Sequence, residues 1–546
     1  MNDFAAWLGG LRGWRQTGMA GMAGALAALA LPPFDLWPIL LVSFSLMVWL
    51  LDGTSMHEGG SSPGTASAWR RAFWIGWWFG FGYFLAGLYW IGYAFLVDAD
   101  NFAWLIPFVA VLLPGGLALF TAAATLLARV FWAPGAARLI MTALSFVLFE
   151  WLRGHVLTGF PWNLTGYAWA GSLEILQVTS VTGIYGLSLL TVLAAVSPAA
   201  LWGPGVAGVG LPRRRLWPAL ALTGFAALWL WGHARLERHQ TAYVGGVFLR
   251  LVQPSVPQAE KWRPENRRRI FDRYVSLTEG PGYDAVTHVI WPETAVPIAL
   301  DSAPPALREI GQMLGPSRVL ISGSVRWQRD PQTGINRPYN ALQVIRAPDA
   351  NNKLQSYIIA TYNKTHLVPF GEYLPMQSFL EWIGLKQLTF GAGSGFAAGP
   401  GLVTLPVPGA PDAAPLICYE IIFSGAVIAP GTTPGWIINL TNDAWFGDTS
   451  GPRQHLGMAV VRAIESGLPV ARSANTGISA IVDPYGRIIK RLALNVPGVL
   501  DGRLPRAASS TVFRRWGVVP FLALFLGFAG MGGVLLRRVR SKRTQA

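Results

Sequence analysis

Long apolar runs crowd residues 18–235, and one more occupies 518–536. Runs of this kind leave a chain few choices. Inside a bilayer every backbone N–H and C=O must be satisfied within the protein, so such segments become helices. Measured against a span of about 20 residues, eight spans are expected near 18–32, 37–51, 72–97, 104–128, 138–152, 183–202, 217–234 and 517–536. Pro107 and Pro114 fall inside one of them, which bilayer helices tolerate where neighbours repair the hydrogen bonding. The stretch at 236–514 has ordinary mixed composition. The expected organisation is a seven-span bundle over 1–235, an extramembrane domain over 236–514, and an eighth span with a basic tail over 515–546.

The net charge of +15 first suggests nucleic acid. Its distribution argues against that partner, because many basic residues lie at the ends of apolar segments, where they set topology and meet anionic lipids. Arg12 and Arg15, Arg70 and Arg71, Arg129 and Arg138, Arg213 to Arg215, and the cluster from Arg537 to Arg543 all fall on one side of an eight-span chain. Both termini are then cytoplasmic and 236–514 faces the other side, with Arg514 and Arg515 a minor exception. Ala28-Leu29-Ala30 after a basic start also fits a signal-peptide cleavage site. The second apolar run just after Leu31-Pro32-Pro33 favours an uncleaved span. Glu150 and Arg153 at the end of span five either pair with each other or form a substrate-facing rim.

Recurrent β-type runs at 247–252, 286–291, 319–324, 354–360, 416–419, 436–440 and 478–482 alternate in part with helical stretches at 263–277 and 454–465. That alternation predicts a layered α/β domain. Gly391-Ala392-Gly393-Ser394-Gly395 joins no strand to a helix and reads as a flexible loop, not a phosphate site. His366 and His455 stand alone in sequence and read as structural; no His/Cys spacing suggests a metal, and no cofactor is expected.

The chain has one cysteine, Cys418. It ends the apolar run Ala414-Pro415-Leu416-Ile417 and precedes Tyr419-Glu420. Taken alone it is either a buried filler or a nucleophile presented at a strand end. Two more strand ends carry charge. Val289-Ile290-Trp291-Pro292-Glu293 ends in a carboxylate. Tyr362-Asn363-Lys364-Thr365-His366 supplies a lysine, with Glu372 eight residues later.

This order of Glu293, Lys364 and Cys418 resembles the nitrilase superfamily and its Glu–Lys–Cys triad. Asn439-Leu440-Thr441-Asn442-Asp443-Ala444-Trp445-Phe446 and Arg472-Ser473-Ala474-Asn475-Thr476-Gly477 are similar to the same superfamily. With eight spans around the domain, the resemblance narrows to the bacterial apolipoprotein N-acyltransferase family. Gln253, Gln258, Lys261-Trp262 and Thr158-Gly159-Phe160-Pro161-Trp162-Asn163 add to it; Pro254-Ser255 departs from the Gly-Asn expected there and puts a local turn in question.

The resemblance implies an αββα sandwich for the outer domain and a ping-pong acyl transfer. Cys418 would take an acyl chain from a phospholipid as a thioester. The N-terminal amine of the diacylglyceryl-cysteine of an apolipoprotein would then receive it. Glu293 is the expected base and Lys364 the expected electrostatic clamp on the oxyanion. Glu372, Tyr419, Glu420 and Trp262 are expected supporting or substrate-binding residues, and a lid is expected around Phe370, Tyr373, Leu374, Phe379 and Trp382. The implied location is the bacterial inner membrane, with the catalytic domain in the periplasm. Two other readings stay open: a membrane-anchored amidase, which would release ammonia and need no lipid, and a non-catalytic transporter or receptor, which would tolerate loss of the triad.

Overall fold

The computed structural model describes residues 1–55, 65–206, 210–329, 334, 336–346, 357–376, 382 and 395–544. It divides into two compact units, residues 1–239 with 512–546 and residues 240–511. Gly391 to Ser394 of the expected loop and Phe379 of the expected lid lie outside the described residues.

The first unit is helical. Among the described residues, three helices are long and apolar enough to cross a membrane: Ala99–Val130, Thr179–Ala200 and Val519–Val539. The pair Ala66–Gly87 and Tyr89–Leu96, bent by 48°, makes a fourth if it is one span. The other expected spans correspond to the shorter helices Gly13–Ala28 and Ile39–Asp52, and to Ala136–His155 and Leu211–Arg238, which carry arginines. Small residues bring the helices together: a Cβ at Gly76 or Gly80 would run into Thr125 or Thr121 on the helix Ile106–Val130, the close approach that small residues permit in bilayers. Two charged clusters are buried. Arg138 pairs with Asp52 at 3.0 Å. Arg153 donates to the carbonyls of Phe160 and Trp162 at 2.6 and 2.7 Å, while the Glu150 carboxylate accepts the N–H of Thr165 at 2.9 Å. The edge charges therefore pin the turn over 160–165.

The second unit holds two sheets. The six-stranded sheet has the order β11-β1-β2-β3-β4-β5 and the five-stranded sheet the order β10-β9-β8-β7-β6. The strands are β1 (Tyr243–Gln253), β2 (His288–Trp291), β3 (Val319–Arg329), β4 (Asn336–Arg346), β5 (Tyr357–Asn363), β6 (Ala413–Ile417), β7 (Trp436–Thr441), β8 (Val470–Ala474), β9 (Ala480–Val482), β10 (Ile488–Arg491) and β11 (Gly498–Pro505). β1, β2 and β3 are parallel, as are β6, β7 and β8; the outer pairings are antiparallel.

Period-two alternation explains the layering. Leu249, Leu251, Ile290 and Ile321 enter one core with Ile417, Ile438, Leu440 and Ala471 of the other sheet. Their neighbours Val252, Val289, Trp291 and Leu320 face outward onto Ile270, Phe271 and Tyr274 of the helix Arg267–Thr278 and Leu307, Ile310 and Leu314 of the helix Pro304–Leu314. The helix Gly451–Ser466 covers β8 on the second sheet. The result is a helix–sheet–sheet–helix sandwich.

The turn at Pro254-Ser255 forms. Ser255 takes a left-handed φ of 52°, the region that Asn also tolerates. Its N–H donates to the Asn475 carbonyl at 3.0 Å.

Candidate active site

Three strands end next to three of the expected residues. Glu293 follows β2 by two residues, Lys364 directly follows β5, and Cys418 directly follows β6. Strand ends in a sandwich are rigid, so side chains just beyond them are held without their own secondary structure.

Lys364 is 1% exposed. Its Nζ lies 2.9 Å from the Glu372 carboxylate and 3.7 Å from Glu293 Oε1. Burial alone pushes this ammonium down, but Glu372 and Glu293 outweigh burial and hold it well above the ordinary lysine value. One amide ties the two carboxylates together: Asn340 Nδ2, on β4, donates to Glu293 Oε1 at 2.7 Å and to Glu372 Oε1 at 2.9 Å. Glu372 also accepts the N–H of Val368 at 2.8 Å, which closes the loop over 368–373 on the lysine.

Cys418 is 8% exposed and adopts a left-handed φ of 51°. A non-glycine residue there costs about 1–2 kcal/mol, so the surroundings must enforce it. They do so through Glu420, two residues on. Its carboxylate accepts the N–H of Ile417 at 2.7 Å, of Thr365 at 2.8 Å and of His366 at 3.0 Å, and the Tyr362 hydroxyl at 2.6 Å. It thereby bolts the end of β6 to the end of β5. Burial raises the Glu420 carboxyl against the pull of Lys364 and these donors. Burial also pushes the Cys418 thiol well up, Glu293 pushes the same way, and Lys364 pulls against both.

Beneath Cys418 lies a cluster that sequence spacing could not show. His455 Nε2 donates to the Cys418 carbonyl at 3.1 Å. His455 Nδ1 is 2.9 Å from Asp443 Oδ1, and Arg472 Nη2 is 2.7 Å from Asp443 Oδ2. Arg472 also donates to the Asn439 side chain. Burial and Arg472 lower His455. Burial works against the Asp443 charge, but Arg472 and His455 overcome it and hold Asp443 well below the usual carboxylate range. Donor atoms of Cys418, Asp443 and His455 lie within 4.8 Å of one another. His455, read from sequence as structural, indeed supports the backbone of the cysteine.

Lys261 is the other residue sequence reasoning did not single out as a site member. It is 1% exposed and donates to the Glu293 carbonyl at 3.1 Å and to Thr294 Oγ1 at 2.9 Å. Burial lowers it to about 8, against the pull of Glu293. Its neighbour Trp262 is 40% exposed, and Tyr419 is buried edge-on to Phe423. Phe370 and Trp382 are exposed and Leu374 is buried.

The arrangement offers a cysteine, a carboxylate and a fixed cation in one buried cluster. Comparison with known proteins matches both parts of the chain to described families. The model of the apolipoprotein N-acyltransferase N-terminal domain matches residues 23–197, and that of the carbon–nitrogen hydrolases matches 249–512. An apolipoprotein N-acyltransferase of Rhodopseudomonas palustris is 45% identical over 521 residues, 94% of either chain. That of Bradyrhizobium diazoefficiens is 46% identical over 522 residues, 94% of this chain and 93% of the relative. That of Brucella melitensis is 43% identical over 541 residues, 97% of this chain and 98% of the relative.

Proposed function

Because the chain belongs to the apolipoprotein N-acyltransferase family, we propose that it moves an acyl chain from a membrane phospholipid, through a Cys418 thioester, to the N-terminal amine of a diacylglyceryl-cysteine. It is an acyltransferase of the carbon–nitrogen hydrolase superfamily and a membrane protein. The observation that supports this route best is the Glu293–Asn340–Glu372–Lys364 network beside a buried thiol.

In the first half-reaction, Glu293 takes the Cys418 proton as the sulfur attacks the acyl ester carbonyl. The tetrahedral oxyanion draws on the Lys364 charge and on a backbone N–H beside Cys418. Collapse breaks the ester C–O bond, and Glu293 returns the proton to the departing lysophospholipid oxygen. In the second, the acceptor amine attacks the thioester, Glu293 takes a proton from it, and the thiolate leaves. Glu372 and Glu420 position Lys364 and Cys418; Tyr419 and Trp262 belong to the substrate-binding side. Splitting the transfer in two lets each lipid substrate react in turn.

We further infer eight spans, both termini in the cytoplasm, residues 236–514 in the periplasm, and a lid around Phe370, Tyr373, Leu374 and Trp382. The eight apolar segments and the one-sided arginines support that topology. Intact mass of the purified protein after incubation with phospholipid alone tests the reaction. One added acyl mass is expected, sensitive to hydroxylamine, discharged by an amine acceptor, and absent from Cys418→Ala. Equal labelling of Cys418→Ala would overturn the assignment.

A further inference from the structure

We propose that Thr441 is a catalytic residue: its hydroxyl is a switchable hydrogen-bond donor that shifts from Asp443 to the Cys418 sulfur whenever that sulfur carries negative charge. This rests on Cys418 being the nucleophile.

The placement follows from strand register. β6 and β7 are parallel neighbours with Ile417 opposite Leu440. Cys418 directly follows β6 and Thr441 ends β7, so the two residues sit at the same end of the same pair. Thr441 is fully buried, with no competing water at its surface. Its hydroxyl donates to Asp443 Oδ1 at 3.0 Å, and the Cys418 sulfur lies within 4.8 Å of an Asp443 carboxylate oxygen, so hydroxyl and sulfur stand beside the same carboxylate. Thr441 also pulls the Cys418 thiol down.

A threonine hydroxyl carries one hydrogen and two lone pairs. Asp443, held ionised by Arg472, only accepts. With Cys418 as a thiol, both needs are met at once: S–H donates to Thr441 Oγ1, and Oγ1–H donates to Asp443. When Glu293 removes the thiol proton, the sulfur becomes an acceptor. Rotation about the Thr441 C–O bond then turns the same hydrogen onto sulfur. Asp443 keeps Arg472 and is not stranded. When the thioester forms, sulfur loses its charge and the hydrogen returns to Asp443. Attack by the acceptor amine regenerates a thiolate as leaving group, and the switch runs again. No atom is gained or lost; only one O–H bond reorients.

The need is specific to this site. Burial and Glu293 both oppose a thiolate here, and Lys364 is already engaged by two carboxylates. A second donor aimed at sulfur relieves that opposition without adding a permanent charge that would stabilise the resting thiolate. Asn439 and Arg472 complete the frame: Arg472 Nη1 donates to Asn439, which neighbours Leu440 on β7. Gly477 gives Asp443 its room, since a Cβ there would overlap its carboxylate.

The test compares wild type with Thr441→Val, Thr441→Ala and Thr441→Ser, all full-length in detergent micelles. Two quantities are read: the pH midpoint of iodoacetamide alkylation at Cys418, and the single-turnover rate of acyl-enzyme formation from phospholipid by intact mass. Losing a hydrogen bond to a charged group corresponds to about a tenfold to hundredfold change. The expected result is an upward shift of the midpoint by about one to two units in Thr441→Val. Acylation should slow about tenfold or more, and Thr441→Ser should recover both. If the valine side chain disturbs folding, Thr441→Ala, which removes the same hydroxyl without filling the space, must show the same shift. A wild-type midpoint in both Val and Ala overturns the proposal, as does a rate loss that serine fails to rescue. Failure of Cys418 itself would show separately, as acylation of Cys418→Ala.

Discussion

Gly323→Ala is the sharpest probe of how the base is held. Gly323 lies on β3 directly behind the loop that carries Glu293. A Cβ placed there would come within 2.5 Å of the Pro292 carbonyl oxygen and of Thr294 N, and within 2.7 Å of Glu293 Cα. Ordinary carbon contacts need about 3.5 Å, so the loop must retreat by roughly 1 Å. It cannot swing freely. Lys261 clamps the Glu293 carbonyl from another direction, Thr294 is already at a φ of 41°, and Ala295 N–H is tied to the Gly323 carbonyl at 3.0 Å. Overpacking of this kind costs about 1–3 kcal/mol, and a 1 Å misplacement of a reacting group costs about a hundredfold in rate. The assay is the single-turnover rate and final amplitude of acyl-enzyme formation, followed by intact mass. Displacement of Glu293 predicts a rate about a hundredfold lower at full amplitude. Acylation at the wild-type rate would refute the claim that this backbone contact sets the base.

Three other outcomes follow from the same network. Lys364→Met removes the cation from between Glu372 and Glu293, and breaking a buried pair in this way costs about 3–5 kcal/mol. Thermal midpoint should fall and no acyl-enzyme should form, while adding Glu372→Gln should recover part of the stability and none of the labelling. Glu420→Gln sets an NH₂ against a backbone N–H at the end of either β5 or β6. That conflict costs about 1–3 kcal/mol and should lower both the midpoint and the acylation rate. Lys261, at about 8, lies below the ordinary lysine value, so as pH rises the folded protein loses this proton before the unfolded chain does. Its contribution therefore shifts towards the fold between about pH 8 and 10.4. Lys261→Met should flatten that alkaline gain in scanning fluorimetry of the solubilised protein; an unchanged slope would contradict it.

The layered domain was legible because its strands obey two simple patterns. The run at 247–252 alternates between two cores, and the run at 416–419 is short, apolar and ended by polar residues. β4, β8, β10, β11 and the helix Pro304–Leu314 were not read. β4 begins with polar, exposed residues and its apolar part alternates with Gln343 and Asn340, so no clean run announces it. β8 contains Arg472 and Ser473, both buried only because tertiary partners satisfy them. The triad order could be read because each member follows its own strand. Asn340 could not, since its role depends on β4 lying beside β3 and β5 in the sheet. His455 shows the same limit. Thirty-seven residues separate it from Cys418, and no sequence pattern encodes a hydrogen bond to a backbone carbonyl. In the membrane unit the arginines that mark topology also break the apolar runs, which is why Ala136–His155 and Leu211–Arg238 read more clearly as spans by position than by composition.

The charge arrangement around Cys418 argues for a nucleophile that is silent until substrate arrives. Asn340 gives each carboxylate its own N–H, and Lys364 lies against both. In the proposed mechanism Glu293 is the group that accepts the proton, and its charge opposes the thiolate. A thiol in that state resists alkylation and oxidation, because both proceed through the thiolate. In the proposed periplasmic location this suits a lone cysteine, since a reactive thiolate there would be trapped by any passing disulfide. In the proposed mechanism the proton leaves when an ester carbonyl is in place to receive the sulfur, since the developing oxyanion then gives Lys364 a third acceptor. The same feature that lowers resting reactivity, a base whose charge opposes the thiolate, therefore couples deprotonation to bond formation.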